Sequence, residues 1–364
     1  MQLNRTVRVE LGERSYDIIT GWKVLDDAGV YLGPLLSGRK CHLITDSNVA
    51  PLYADKLSEI LESAGAEVSQ SIIPAGETHK NLATIGELLA EIIGAGLDRG
   101  SRILALGGGV TGDMAGFTAA IYMRGIKFIQ VPTSLLAMVD SSVGGKTGVD
   151  LPQGKNLVGA FWQPEKVLID QKLLLTLPDR ELCCGLAEVV KYGIIADAAL
   201  FADLEKNTDK LLKRDPDFYG EIISRCCRIK AEVVAGDEHE NGRRAILNYG
   251  HTFGHAIEAV SDFAVGHGEG VAIGMCMAAD LAVKLDMFSS SEADRQEQLL
   301  RRLGLPTRCD AGLSPDNVTA AMARDKKKRD GKLVFILPRR IGEVVAVDGL
   351  DPELILETVR GRCD

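Results

Sequence analysis

No stretch of this sequence approaches the ~20 consecutive apolar residues that a membrane-spanning helix needs. The first residues, MQLNRTVRVELGERSYDI, alternate in polarity like a strand and lack the apolar core of a secretory signal. A cytoplasmic protein without membrane contact is the expectation. Excess positive charge is also missing: 42 basic residues against 51 acidic ones leave a net charge of -9, which argues against a nucleic-acid partner. An anionic substrate would therefore have to be held by a local cluster of cations. The eight cysteines contain no CxxC spacing, and Cys183-Cys184 and Cys226-Cys227 are neighbours too close for ordinary disulfide geometry. Reduced, mostly buried thiols fit that pattern. Internal repeats, low-complexity tracts and long linkers are absent.

What is present is enough chain and enough apolar residues for two cores. At 364 residues, 46% of them hydrophobic, the chain exceeds the ~250 to 300 at which one core stops growing. After an opening hairpin, strand-like and helix-like stretches alternate: RKCHLIT to Asp46, NVAPLYADKLSEILESAG, AEVSQSIIP, NLATIGELLAEIIGAG, RILAL, DMAGFTAAIYM, KFIQV. Such alternation predicts an α/β domain with a parallel sheet, its ligands at the carboxyl ends of the strands. TGVDLPQGKNLVGAFWQPEKVLID reads as extended segments with turns at Gly154 and Gly159. From about Leu177 the periodicity becomes helical, with only KLVFILP and EVVAVD strand-like. The boundary is placed at Pro178, giving domains 1–178 and 179–364 with the cleft between them as the expected site.

RILAL runs directly into Gly107-Gly108-Gly109-Val110-Thr111-Gly112-Asp113, a GxGxxG that opens a helix. Bare backbone N–H groups at a helix N-terminus suit a pyrophosphate. The acidic residue that should follow ~20 positions later for a ribose is missing, since Lys127 to Gln130 occupy that window. Asp46 and Asn48, at the end of an earlier strand, are candidates for that role or for an ordinary helix cap. Ser142-Val143-Gly144-Gly145-Lys146-Thr147 is no P-loop, because Asp140 stands where GxxxxGK[ST] needs glycine and no helical pattern follows. Lys146 is better read as an anion ligand on a loop.

Three of the six histidines fall between Asn248 and Glu269. His251 and His255 lie four apart on one helix face, and His267 sits in a Gly-flanked turn (Gly266, Gly268) ahead of the apolar helix VAIGMCMAADLAV. Two histidines and a carboxylate leave a coordination position open, the arrangement of a catalytic zinc. The spacing leaves open which two histidines bind, and whether Glu188, Glu258 or Glu269 completes the set.

Taken together, GGGVTGDMAGFTAA, VPTSLLAMVDSSVGGKTGVD, GKNLVGAFWQP, GLAEVVKYG, NYGHTFGHAIE and HGEGVAIGM resemble the 3-dehydroquinate synthases, in that family's order and over most of the chain. The resemblance implies a Rossmann-like N-terminal domain, an all-helical metal-binding C-terminal domain, NAD and Zn2+ (which Co2+ can replace) as cofactors, and commonly a homodimer. It implies Glu188, His251 and His267 as metal ligands, with His255 a substrate or proton-relay neighbour. NAD contacts would come from Asp46, Asn48, Glu77, Lys80, Gly108, Gly109, Val110, Gly112, Asp113, Thr133, Ser134, Lys146, Lys155 and the run Leu173, Leu174, Leu175, Thr176. Substrate contacts would come from Arg124, Asp140, Lys146, Lys155, Asn156, Lys191, Lys230, Arg244, Asn248 and Lys327 or its neighbour Lys326. Within these sets Lys146, Lys191, Lys230, Arg244, Asn248 and His255, with Glu240, would be catalytic. The chain departs from the family's usual residues at Ser134, Met138, Asp150 and Gly270, none of them a proposed metal ligand.

The implied reaction converts 3-deoxy-D-arabino-heptulosonate 7-phosphate, a phosphorylated keto acid, to 3-dehydroquinate and phosphate in the shikimate pathway. It runs through transient oxidation by NAD, phosphate elimination, re-reduction, ring opening and aldol closure. Such a cluster of Lys and Arg for a carboxylate and a phosphate makes chemical sense in an acidic chain. The alternatives are a sibling sugar phosphate cyclase making 2-epi-5-epi-valiolone or 2-deoxy-scyllo-inosose, a metal-dependent polyol dehydrogenase of the glycerol dehydrogenase type, and a non-catalytic nucleotide-binding protein.

Overall fold

The computed structural model describes residues 4–240, 242–262, 264–309, 312–322, 328–329 and 332–363. The chain forms two compact units, one running to Leu177 and including Tyr219–Ala235, the other made of Pro178–Phe218 and the chain from Gly236 on. A single cut at residue 178 does not reproduce this, because most of one long helix counts with the first unit. Helical periodicity shows that a helix has an apolar face but not which core receives it.

The first unit contains β1 (Arg5–Val9), β2 (Tyr16–Gly21), α1 (Ala28–Leu36), β3 (Lys40–Asp46), α2 (Ala50–Ser63), β4 (Glu67–Ile73), α3 (Leu82–Gly94), β5 (Arg102–Gly107), α4 (Gly109–Ile121), β6 (Lys127–Pro132), β7 (Lys146–Leu151), β8 (Gly154–Phe161) and β9 (Lys166–Asp170). Seven strands form one sheet in the order β1-β2-β9-β6-β5-β3-β4. Only β1 and β2 are antiparallel, as a hairpin of two strands requires. β3 and β5 are buried almost along their whole length, which is why RILALG reads as a near-continuous apolar run, whereas β3 also buries His42, Thr45 and Asp46. In α2 the buried residues are Ala50, Ala54, Leu57 and Leu61, one helical stripe. α3 starts where Asn81 accepts the N–H of Thr84 at 3.1 Å.

After β3 the chain moves outward to β4, and after β4 it returns to the other side of β3 to form β5. This reversal makes the carboxyl ends of β3 and β5 the topological switch point of the sheet, where open α/β sheets bind ligands. β7 and β8 form a separate antiparallel ribbon in which Gly148 faces Gly159. Gly159 is therefore not a turn, as its sequence context suggests, but a mid-strand position. A Cβ there would fall 2.1 Å from the Thr147 carbonyl, so glycine is required by close approach of the two strands.

The second unit holds α5 (Asp179–Ile195), α6 (Ala198–Lys206), α7 (Thr208–Leu212), the ends of α8 (Pro216–Gly236), α9 (His251–Val260), α10 (His267–Lys284), α11 (Ser290–Arg302), α12 (Pro315–Met322), β10 (Lys328–Arg329), β11 (Lys332–Arg340), β12 (Glu343–Asp348) and α13 (Pro352–Cys363). It is helical apart from the small antiparallel sheet β10-β11-β12, so it is not wholly α. β11 and β12 are the two strand-like stretches of the sequence. α10 is buried nearly all round, from Gly268 to Ala282. No helix among the described residues is long and apolar enough to cross a membrane.

Candidate active site

In the first unit the predicted residues gather where the switch point lies. α4 begins at Gly109 with no side chain capping its N-terminus. The glycines around it have separate reasons. A Cβ at Gly107 would lie 2.5 Å from the Thr111 side chain, and one at Gly112 would lie 2.6 Å from Gln130 Oε1. At Gly108 the nearest atom would be Ser134 Oγ at 3.5 Å, an ordinary contact, so packing within the chain does not demand glycine there. Thr133 donates its N–H to the Gly107 carbonyl at 2.9 Å, which ties the end of β6 to the glycine run. Asp46 ties the turn ahead of α2 to α4: Oδ1 accepts the N–H groups of Asn48 (2.9 Å) and Val49 (3.2 Å), and Oδ2 accepts from Thr111 Oγ1 (3.1 Å). Asn48 is exposed beside it.

Lys80 is the hub of a polar cluster. Its buried ammonium donates to Asp113 Oδ2 and Asn156 Oδ1, both at 2.7 Å, and lies 4.0 Å from Glu77 Oε1. Burial works against its charge, but Asp113 and Glu77 outweigh this and leave its pKa raised, so the ammonium stays protonated. Lys155 Nζ is 3.8 Å from Glu77 Oε1. Asp150, noted in the sequence only as a departure, accepts the Asn156 N–H at 2.7 Å, and its own N–H bonds to the Lys80 carbonyl at 2.8 Å. Asn156 holds a left-handed φ of 52°. Burial, then Asp150, push the Glu77 carboxyl above its ordinary range despite the two lysines.

A second cluster of the same unit is built on a π-turn at Ala137–Ser141, a form that recurs at functional positions. Lys230, from the part of α8 counted with this unit, donates to the Asp140 carbonyl (2.6 Å) and to its Oδ1 (2.7 Å). Lys146 is exposed at the start of β7. Leu173, Leu174, Leu175 and Thr176 form a 3-10 turn after β9, whose Thr176 hydroxyl meets Tyr53 of α2. Arg124 follows the far end of α4, whose 13 residues put about 20 Å between it and the glycine run. Lys326 and Lys327 lie outside the described residues.

In the second unit α5, α9 and α10 meet through glycine. A Cβ at Gly274 would be 2.1 Å from the Gly250 carbonyl, one at Gly254 2.9 Å from the Gly270 carbonyl, and one at Gly268 2.3 Å from Cys184 Cα. The spacing Gly250-xxx-Gly254 against Gly266-xxx-Gly270-xxx-Gly274 is a small-residue seam the histidines concealed. Its effect is to bring His251 and His267 together, ring centroids 5.4 Å apart, over Glu188. His251 Nε2 lies 3.6 Å and His267 Nε2 3.5 Å from Glu188 Oε1. These three donors converge within 4.8 Å of one another. His255 lies beside them, its ring edge-on to that of His251 at 5.3 Å and tilted to that of His267 at 6.0 Å. His255, Glu258 and His267 form an overlapping donor group.

The carboxylate question left by the spacing now divides. Glu188 is fully buried between the two Nε2 atoms, and Lys191, one turn on, pairs with its other oxygen. Glu269 is spent elsewhere: it accepts the Gly266 N–H at 2.7 Å, which starts α10 at His267 itself rather than after a turn, and it is held by Arg180 at 2.9 and 2.7 Å. Glu258 accepts from His267 Nδ1 at 3.0 Å. Burial opposes charge on His267, but Glu188 and Glu258 raise its pKa to about 10. Nearby, Asn248 donates to Glu240 Oε1 at 2.6 Å, and the buried Arg244 donates to the Glu238 carbonyl at 2.5 Å. Asp237, which sequence reasoning missed, fixes that loop by accepting the N–H groups of Gly242 (2.8 Å) and Arg244 (2.9 Å).

This arrangement coincides with the reach of two family models, 3-dehydroquinate synthase N-terminal over residues 70–184 and 3-dehydroquinate synthase C-terminal over residues 185–328. The chain belongs to the 3-dehydroquinate synthase family. Among curated members, the 3-dehydroquinate synthase of Picosynechococcus sp. is 48% identical over 360 residues, 98% of this chain and 99% of that protein. Among solved structures, the 2-epi-5-epi-valiolone synthase of Streptomyces hygroscopicus subsp. jinggangensis, with NAD+ and Zn2+ bound, matches with a TM-score of 0.90 at 30% identity over 97% of this chain and 98% of that one. A 2-deoxy-scyllo-inosose synthase complexed with carbaglucose-6-phosphate, NAD+ and Co2+ also gives 0.90, at 29% identity over 98% of this chain and 100% of that one. These relatives confirm the family and the two-part α/β and helical fold that the six motifs imply.

Proposed function

We propose that this chain is a 3-dehydroquinate synthase that converts 3-deoxy-D-arabino-heptulosonate 7-phosphate to 3-dehydroquinate and phosphate, using NAD and a zinc ion. The observation that carries the reading is the convergence of Glu188 with the Nε2 atoms of His251 and His267, within a chain whose curated relatives of that name match it end to end. The donor set fits the metal: two imidazoles and one carboxylate suit zinc and leave a position for substrate oxygen. The N-terminus of α4, which no side chain caps, and the glycine at 108, which packing within the chain does not demand, fit a pyrophosphate. When bound, NAD supplies a reversible hydride acceptor and zinc a Lewis acid that acidifies a hydroxyl.

The chain's own residues do the rest. Lys146, Lys155, Lys191, Lys230 and Arg244 bind the carboxylate and phosphate of the substrate, with Arg244 suited to a bidentate grip. Asp140 orients Lys230, and Glu240 orients Asn248, so both donors are fixed before substrate arrives. His255, next to the metal donors without a place among the three, suits proton movement at the reacting oxygens. Asn156, held by Asp150 and Lys80, joins the substrate contacts to the Glu77–Lys80–Asp113 cluster on the nucleotide side. Cytoplasmic location and a homodimer belong to the same reading.

The two sibling cyclases match at 29–30% identity, well below the 48% of the curated synthase. A polyol dehydrogenase has no phosphate to eliminate and no need of five cations. The test is turnover of the heptulosonate phosphate with catalytic NAD: phosphate release without NADH accumulation supports the assignment. Stoichiometric NADH, or oxidation of glycerol without phosphate, overturns it.

A further inference from the structure

We propose that Glu258 is a positioning residue for the metal, which holds His267 in the tautomer and ring orientation that turn its Nε2 toward Glu188. The inference rests on the metal-site reading above and adds a residue that reading does not use. The two histidines are presented in the same way but by different acceptors. His251 Nδ1 lies 3.1 Å from the Tyr249 carbonyl, a neutral group fixed by the backbone. His267 Nδ1 lies 3.0 Å from Glu258 Oε1, a carboxylate on a side chain only 3% exposed. In each ring an acceptor holds the Nδ1 proton, so Nε2 is the nitrogen that offers its lone pair when a metal displaces any proton there. A carboxylate does this more strongly than a carbonyl, since the bond is charge-assisted, and it makes the imidazole a better donor.

Two further observations favour positioning over direct ligation, although Glu258 also falls within the overlapping donor group with His255 and His267. Its oxygen addresses the ring nitrogen opposite the one that faces Glu188. A metal shared by Glu258 and His267 at Nδ1 would therefore abandon both Glu188 and His251. The space for the carboxylate is also built in. A Cβ at Gly270 would lie 3.2 Å from Glu258 Cγ and 3.5 Å from its Oε1. The glycine seam of α9 and α10 thus seats the carboxylate against the first turn of α10, where His267 starts.

The experiment measures Zn2+ affinity of the full-length, chelator-stripped protein by competition with a chromophoric chelator at fixed pH. Apo-protein circular dichroism and NAD binding serve as controls. Glu258→Ala is expected to weaken zinc binding about 10- to 100-fold with the fold retained, the usual cost of losing such a partner. Glu258→Gln keeps an acceptor for Nδ1–H without the charge and is expected to lose less, about three- to tenfold, with a Co2+ absorption spectrum like that of the wild type. Affinity within about twofold of wild type in both variants would overturn the proposal. So would abolition of binding in Glu258→Gln to the extent seen in His251→Ala, since Glu258 would then be a ligand. Should Glu258→Ala not fold, the glutamine variant decides alone. Retention of tight zinc binding by His251→Ala would instead show that the metal-site reading has failed.

Discussion

Gly274 and Gly250 touch through their backbones, and a methyl group added to Gly274 would sit 2.1 Å from the Gly250 carbonyl oxygen. That contact sets how near α9 comes to α10, and hence how near His251 comes to His267. Normally an alanine replacing a mid-helix glycine stabilises a protein by about 1 kcal/mol. Gly274→Ala is expected to do the reverse and cost about 1–3 kcal/mol, as overpacking of a close contact does. Gly86, inside α3 with nothing within 4 Å of a built Cβ, is the control, and Gly86→Ala should show the ordinary gain. Thermal unfolding of both variants is the measurement. A stabilised Gly274→Ala would mean that the two helices are not held at backbone contact.

The Lys80 cluster makes an equally direct prediction. Lys80→Met leaves the partly buried Asp113 opposite an apolar side chain, and since removing one partner of a fully buried pair costs about 3–5 kcal/mol, a loss of up to about that size is expected. The double variant Lys80→Met, Asp113→Asn removes the stranded charge and should recover part of that loss, a coupling that a double-mutant cycle in urea reads directly. Strict additivity of the two single substitutions would show that the pair does not interact.

Much of this was legible in the sequence, for reasons that particular residues make plain. A strand such as RILALG stood out because a parallel sheet covered on both faces leaves no polar alternation. The order of strands and helices carried the α/β class, and the histidine spacing carried the metal. Other features were hidden because they depend on what meets what. Gly159 looked like a turn, since glycine in a strand and glycine in a turn are spelled alike, and only the facing Gly148 tells them apart. The spacing of Gly250, Gly254, Gly266, Gly270 and Gly274 at four-residue intervals was visible but unread. Spacing alone left Glu188, Glu258 and Glu269 unranked and the family resemblance chose Glu188, whereas the physical reason lies in their partners: two imidazoles, an Nδ1 proton and Arg180 respectively.

Lys155 is 3.8 Å from Glu77, which also faces Lys80, so it stands at the edge of the nucleotide-side cluster without being its hub. Its side chain is partly exposed. Lys155→Ala is expected to raise KM for the phosphorylated substrate, or to lower kcat/KM, about tenfold or more, the scale of one charge-assisted hydrogen bond. NAD affinity, read by protein fluorescence or calorimetry, should move by much less. An equal loss on both sides would assign Lys155 to the cofactor.

His42 offers a pH test of the first unit that is independent of any ligand. Its ring lies between two hydroxyls, Nδ1 2.8 Å from Ser69 Oγ and Nε2 2.7 Å from Ser71 Oγ, with Ser71 in turn bonded to Glu91. Burial lowers its pKa below 6.5, and the Glu91 carboxylate only partly offsets this. The unfolded chain therefore takes up the proton first as pH falls. The stability contributed by the neutral ring is fully present above pH 6.5 and is lost as pH drops toward the folded-state value. The loss can reach at most about 1.4 kcal/mol per pH unit. Melting temperatures between pH 7.5 and 5 should fall more steeply for the wild type than for His42→Gln, which has nothing to titrate there. Glu91→Gln removes the offsetting charge, so its decline should continue to lower pH than that of the wild type. Parallel curves for all three proteins would show that His42 is protonated as easily in the fold as in the unfolded chain.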